Sequence, residues 1–139
     1  MANEEIDQWA ELGQGIREVV ISEAQIQATV QRIGAAITAD YQDKRPILIG
    51  VLNGVVLFMA DLIRAIRIPV DIDFMAIASY SSESRERGVV RLEKDLTNPL
   101  ESRHVLFVED VIDTGMTLNY LLRNLKARGP ASIEVCALF

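Results

Sequence analysis

Apolar residues recur along this chain at two different periods. Ile26, Val30, Ile33, Ile37 and Tyr41 share one face of an amphipathic helix that runs to about Tyr41. Ser22-Glu23-Ala24-Gln25 before them is a capping-box pattern, with Ile21 and Ile26 placed as a hydrophobic staple. Asp43-Lys44-Arg45-Pro46 breaks the helix, and Ile47 to Leu52 is a short run of branched apolar residues, read as a buried strand. Asn53-Gly54 turns the chain, and Val55 to about Arg64 is predicted as a second helix. After Pro69, Val70, Ile72 and Phe74 alternate with Asp71 and Asp73, and the strand continues through Ala78.

Residues Ser81 to Gly88 are polar and without period, so an exposed, mobile loop is expected there, with Val89 to Leu92 as its returning arm. Val105 to Val108 is another buried strand and Glu109 to Thr114 a loop. Leu118, Leu121, Leu122 and Leu125 mark a helix that Gly129-Pro130 ends, and Ile133 to Phe139 is a last strand. Strands alternating with helices predict an α/β fold: a mostly parallel twisted sheet with helices on both faces. In such sheets ligands sit beyond the carboxyl ends of the strands, here the loops after Leu52 and Val108.

The 139 residues suit one domain, and half of them are apolar, which excludes disorder as the dominant state. Fourteen Lys and Arg against twenty Asp and Glu leave a formal charge of −6. That balance argues against a generic grip on nucleic acid or on an anionic membrane. The start, Met1 to Asp7, carries Glu4, Glu5 and Asp7 where a secretory signal would be basic, and the uncharged stretch from Pro46 to Ala60 falls short of a membrane span. With a single cysteine, Cys136, these features give the expectation of a cytoplasmic protein.

The loop from Val108 to Thr117 holds the unusual chemistry. Glu109, Asp110 and Asp113 crowd the end of an apolar strand, which is costly unless cations or hydroxyls satisfy them. Thr114-Gly115-Met116-Thr117 then opens a helix with small and hydroxyl residues, a seat for phosphate on free backbone amides. Carboxylates beside an anion seat suit a sugar phosphate carried with a divalent ion. The plainer alternative is that Asp113 or Thr114 only caps the helix and Glu109-Asp110 is a solvated turn.

The ten residues from Val108 to Thr117 resemble the phosphoribosyl-pyrophosphate motif of type I phosphoribosyltransferases. Asp113 resembles the 6-oxopurine branch, the hypoxanthine-guanine phosphoribosyltransferases. Val51-Leu52-Asn53-Gly54 with Phe58 to Leu62 resembles the family's pyrophosphate loop and trailing helix, and Asp73 to Tyr80 the strand entering its flexible catalytic loop. Lys94-Asp95-Leu96 and Arg128 to Ser132 also match segments of bacterial members, so the resemblance covers about Val19 to Phe139.

The resemblance implies one phosphoribosyltransferase core domain over 1–139, with 1–18 an N-terminal extension and 81–88 the catalytic loop. Glu109 and Asp110 would hold the ribose hydroxyls, directly or through Mg2+. Thr114, Gly115, Met116 and Thr117 would hold the 5′-phosphate, and Leu52, Asn53 and Gly54, through an often cis peptide after Leu52, would meet pyrophosphate. Asn53 replaces the Lys or Arg of many relatives, which favours a backbone contact. Ser79 and Tyr80 would close over the reacting centre, and Asp113 would face purine N7 as the general base. The implied partners are phosphoribosyl pyrophosphate and a 6-oxopurine base, in a homodimer or homotetramer, for purine salvage. The base-recognising lysine and hood segment of the family follow its last strand and are missing from this sequence, implying weak substrate binding and poor turnover. The alternative is a non-catalytic nucleotide-sensing module on the same scaffold.

Several other residues carry plainer readings. His104 is read as a polar residue at a strand entrance and Cys136 as a small core residue. Asp71 and Asp73 share a strand face, read as exposed or ion-paired rather than as a working carboxylate pair. Trp9 is assigned no function. A signalling receiver domain, suggested by Val105 to Asp110, fails because too little chain follows to supply its phospho-accepting aspartate.

Overall fold

A five-stranded sheet in the order β3-β2-β1-β4-β5 forms the centre of the molecule. The structure, a computed structural model, describes residues 16–78 and 90–139. Its elements are α1 (Glu23–Asp40), β1 (Ile47–Leu52), α2 (Val56–Ala65), β2 (Asp71–Ile77), β3 (Leu92–Lys94), β4 (His104–Glu109), α3 (Met116–Lys126) and β5 (Ser132–Ala137). Strands β2, β1, β4 and β5 run parallel, and β3 pairs antiparallel at one edge. This is the mostly parallel sheet that the alternating periods predict.

The pleat sorts the core into two layers. Leu48, Leu106 and Val108 face Val30 and Ile37 of α1 and Phe58, Met59 and Leu62 of α2. Ile47, Ile49, Val105 and Phe107 face Leu121 and Leu125 of α3. Both faces are covered, which explains why β1 and β4 read as continuous apolar runs rather than as alternating ones.

The start of α1 is the capping box that its sequence spells. Ser22 Oγ accepts from the Gln25 amide at 3.2 Å, and Gln25 Oε1 accepts from the Ser22 amide at 2.8 Å. Ile26 packs on the core beneath α1, whereas Ile21 stays exposed beside it. Further along, Gly34 lets α1 lie against the end of α2: a Cβ built there would fall 2.5 Å from the Cβ of Ala65.

Of the two readings given for Asp71 and Asp73, ion pairing is the one the structure bears out. Asp71 is ion-paired, with Arg103 at 2.6 Å and Arg45 at 3.0 Å. Asp73, on the same face, is buried instead of exposed, at 5% relative exposure. Its carboxylate accepts from the amides of Phe74, Thr97 and Asn98 and from Asn98 Nδ2, with Lys94 Nζ at 3.7 Å. The chain after β3 folds over this face and carries Leu96 and Leu100 into the core, which closes Asp73 off from water.

The remaining polar residues set aside from catalysis sit as structural elements. His104 opens β4, with Nδ1 2.7 Å from Ser132 Oγ at the start of β5. Cys136 packs against the α1–α2 side of the core, and burial pushes its thiol up to about 11, far from the thiolate range. Trp9 lies outside the described residues. No described helix is long and apolar enough to cross a membrane.

Candidate active site

Strand β1 has β2 on one side and β4 on the other, so the chain changes direction across the sheet between β1 and β4. Loops leaving such neighbouring strands diverge and open a crevice at their carboxyl ends. The loop after β1 carries Asn53 and Gly54, and the loop after β4 carries Asp110 to Thr114. These two loops meet: a Cβ built on Gly54 would lie 3.0 Å from Asp110 Oδ2. The peptide between Leu52 and Asn53 is cis, as the resemblance implies. The Asn53 carbonyl accepts from the Val56 amide at 3.1 Å, which turns the chain directly into α2.

The acidic pair ends β4. Burial, reinforced by the neighbouring charge of Asp110, pushes the Glu109 carboxyl up to about 7. Asp110 turns its Oδ1 back to accept from the Val111 amide at 2.9 Å. A desolvated carboxyl beside a second carboxylate is an electrostatic deficit that a cation or donor hydroxyls would relieve. Among the described residues, no group of three or more His, Cys, Asp or Glu is placed to hold a metal by itself.

The helix start is not capped by a side chain. Gly115 occupies the N-cap of α3 with φ of 79°, a left-handed conformation that glycine adopts without penalty, and having no side chain it makes no cap bond of its own. Thr114 Oγ1 only accepts from the Met116 amide, at 3.4 Å. Gly115, and not Asp113 or Thr114, holds the N-cap position, and Thr114 reaches only the first helical amide with this one long bond. The open amides and the positive end of the helix dipole remain available to an anion. Asp113 lies exposed in the loop between the acidic pair and this helix start, beside exposed Val111 and Ile112.

The structure thus gathers Leu52, Asn53, Gly54, Glu109, Asp110, Asp113, Thr114, Gly115, Met116 and Thr117 at the carboxyl edge of β1 and β4. Ser79 and Tyr80, with the 81–88 loop, lie outside the described residues. One contribution is absent from the sequence reading. Leu138 and Phe139, beyond β5, bond the acidic loop through their main chain: the Leu138 amide donates to the Glu109 carbonyl, the Phe139 amide to the Asp110 carbonyl, and the Ile112 amide to the Phe139 carbonyl. A run of apolar residues carries no signal for where its backbone pairs.

An open, mostly parallel sheet with a glycine turn and a helix start at its crossover point defines an α/β protein whose strand-end crevice suits a phosphate group. The family is more specific than that class. Residues 22–139 match the family model of the phosphoribosyl transferase domain, and the chain belongs to the type I phosphoribosyltransferases, in their hypoxanthine-guanine branch. It is 46% identical over 136 residues to the hypoxanthine-guanine phosphoribosyltransferase of Mycobacterium avium, covering 93% of this chain and 67% of that one. Against the Bacillus subtilis enzyme of the same name the identity is 43% over 123 residues, 88% of this chain and 68% of that one. Among solved structures, a hypoxanthine phosphoribosyltransferase from Staphylococcus aureus superimposes with a TM-score of 0.86 at 36% identity, covering 91% of this chain and 68% of that one. The chain spans about two thirds of the length of these relatives.

Proposed function

We propose that this protein acts in purine salvage, transferring the 5-phosphoribosyl group of phosphoribosyl pyrophosphate to N9 of hypoxanthine or guanine, with IMP or GMP and pyrophosphate as products. The observation that carries the proposal is the meeting of Gly54 with Asp110 at the sheet's crossover point, which sets the loop after β1 against the loop after β4. One loop offers backbone for a pyrophosphate, the other carboxylates for a ribose, and the adjoining helix start offers amides for a 5′-phosphate.

In this reading, Glu109 and Asp110 accept from the two ribose hydroxyls. The amides and hydroxyls from Thr114 to Thr117 bind the 5′-phosphate, and the main chain of Asn53 and Gly54 binds the pyrophosphate. Pyrophosphate departs from ribose C1 with the bonding electron pair, and purine N9 attacks the oxocarbenium-like centre. Asp113 takes the proton from purine N7 as general base.

The acidic pair also fits magnesium. Two neighbouring carboxylates are hard oxygen donors, and with no third His, Cys, Asp or Glu grouped with them among the described residues a bound ion would complete its shell largely from substrate oxygens and water, the habit of Mg2+. Glu109 and Asp110 would hold it, and it would neutralise charge on the departing pyrophosphate.

Val56 and Leu57, turned outward at the start of α2 with Leu57 80% exposed, supply apolar surface for the proposed homodimer or homotetramer. The single cysteine, Cys136, supports a cytoplasmic location.

The test is a direct one. The 139-residue chain is incubated with magnesium, phosphoribosyl pyrophosphate and hypoxanthine, and IMP is followed by chromatography against a heat-denatured control. IMP formation supports the enzyme. Tight binding of phosphoribosyl pyrophosphate or IMP without any turnover would replace it with the nucleotide-sensing module.

A further inference from the structure

The main-chain bonds from Leu138 and Phe139 to the acidic loop lie outside the roles assigned above, although this inference rests on that reading of Glu109 and Asp110. The Leu138 amide donates to the Glu109 carbonyl at 3.1 Å, and the Phe139 amide to the Asp110 carbonyl at 2.9 Å. The Ile112 amide returns a bond to the Phe139 carbonyl at 2.9 Å. One residue bonded on both sides in this way is a parallel bridge, here centred opposite Val111. The β4–β5 register, Glu109 opposite Ala137, therefore runs on past the strand and into the loop.

Loops leaving a sheet are normally released from its ladder at the last strand residue. This loop is held two residues further, over the stretch that carries its carboxylates. From the other side Gly54 admits Asp110 Oδ2, and the Val111 amide fixes Asp110 Oδ1. Two adjacent like charges repel and would splay if the backbone beneath them were free. Holding that backbone before the ligand arrives removes an ordering cost from binding. The Phe139 side chain is half exposed, so the effect belongs to the residue's N–H and C=O groups.

We infer that the main chain of Leu138 and Phe139 is a positioning element for the Glu109–Asp110 pair, setting the affinity for magnesium and phosphoribosyl pyrophosphate without touching either. Phe139→Pro removes the amide that bonds Asp110. Phe139→Ala keeps the amide and removes the ring. Ile112→Pro removes the return bond from the other side.

The experiment titrates phosphoribosyl pyrophosphate into each variant by calorimetry with magnesium present. Amide hydrogen exchange is read at Ile112 in the parent and the two Phe139 variants, and fold is checked by circular dichroism in every variant. Phe139→Pro and Ile112→Pro are expected to raise Kd by ~10-fold, whereas Phe139→Ala stays within ~2-fold of the parent. In Phe139→Pro the Ile112 amide is expected to lose protection that Phe139→Ala retains. Parental affinity in Phe139→Pro despite rapid Ile112 exchange would overturn the inference, as would equal losses in the Ala and Pro variants. Unfolding of both proline variants would assign these bonds to the fold and overturn the positioning role. A parent chain that binds no phosphoribosyl pyrophosphate would instead overturn the reading of the acidic pair, and this inference with it.

Discussion

Gly54 and Asp110 approach so closely that a methyl group on the glycine would sit 3.0 Å from Oδ2 of the aspartate. The contact joins the loop after β1 to the loop after β4, the two halves of the proposed site. Gly54 is not in a left-handed conformation, so alanine is conformationally permitted there. Gly54→Ala should therefore leave stability within about 1 kcal/mol, with a smaller unfolded-state entropy offsetting part of the crowding. The added methyl pushes the Asp110 carboxylate off its position by a few tenths of an ångström. We expect kcat/KM for phosphoribosyl pyrophosphate to fall by ~10-fold or more, because catalytic groups tolerate little misplacement. Unfolding curves and steady-state kinetics on one preparation check both halves, and unchanged kinetics would show that the loops do not share a ligand.

The role proposed for Asp113 separates chemistry from binding. It stands exposed between the acidic pair and the α3 start, with no partner among the described hydrogen bonds that would make it structural. Asp113→Asn keeps the shape and removes the carboxylate proposed as the base. Turnover should drop by about 10²- to 10⁴-fold, with the Kd for phosphoribosyl pyrophosphate changing far less. Parallel losses in turnover and binding would remove the general-base role.

What was legible in advance follows from how local each signal is. The capping box at Ser22 and the apolar spacing from Ile26 to Tyr41 describe α1 because both ends of each interaction lie within a turn or two. The same spacing identifies which face of α1 is buried and says nothing of how near the next helix comes, so Gly34 against Ala65 emerges only in three dimensions. The loops after β1 and β4 could be singled out because parallel sheets expose their strand ends in a fixed way. Their mutual contact, Gly54 with Asp110, depends on the order of strands across the sheet. Asp73 shows the limit most plainly. Alternation places it beside Asp71, but its burial depends on Thr97 and Asn98, more than twenty residues further along the chain.

Gly34 gives a stability prediction free of the active site. A Cβ there meets the Cβ of Ala65 at 2.5 Å and its carbonyl carbon at 2.8 Å, and backbone cannot swing aside as a side-chain tip can. Alanine would gain about 1 kcal/mol of helix propensity and lose about 1–3 kcal/mol to overpacking. The net effect expected of Gly34→Ala is a loss of about 1 kcal/mol, seen as a lower urea midpoint with an unchanged slope. A midpoint above the parent's would mean that α1 shifts freely over α2.

Asp73 makes stability depend on pH at the acid end. Burial alone would push its carboxyl up. The amide and side chain of Asn98, with the amides of Phe74 and Thr97, outweigh burial and hold it below 3.8. A carboxyl whose folded value lies below its unfolded one stabilises the fold above the unfolded value, and that contribution is lost as pH falls through the folded value. Asp73→Asn turns an amide group toward donors that now bond a carboxylate, and should cost about 2–3 kcal/mol at pH 7. The difference between parent and variant should stay flat down to about pH 5 and narrow below about pH 4, as the parent's own carboxyl takes up its proton. Urea unfolding of both proteins across this range tests the sign. A gap that widens on acidification would mean that Asp73 enters the fold protonated, and that its amide partners bond something other than a charge.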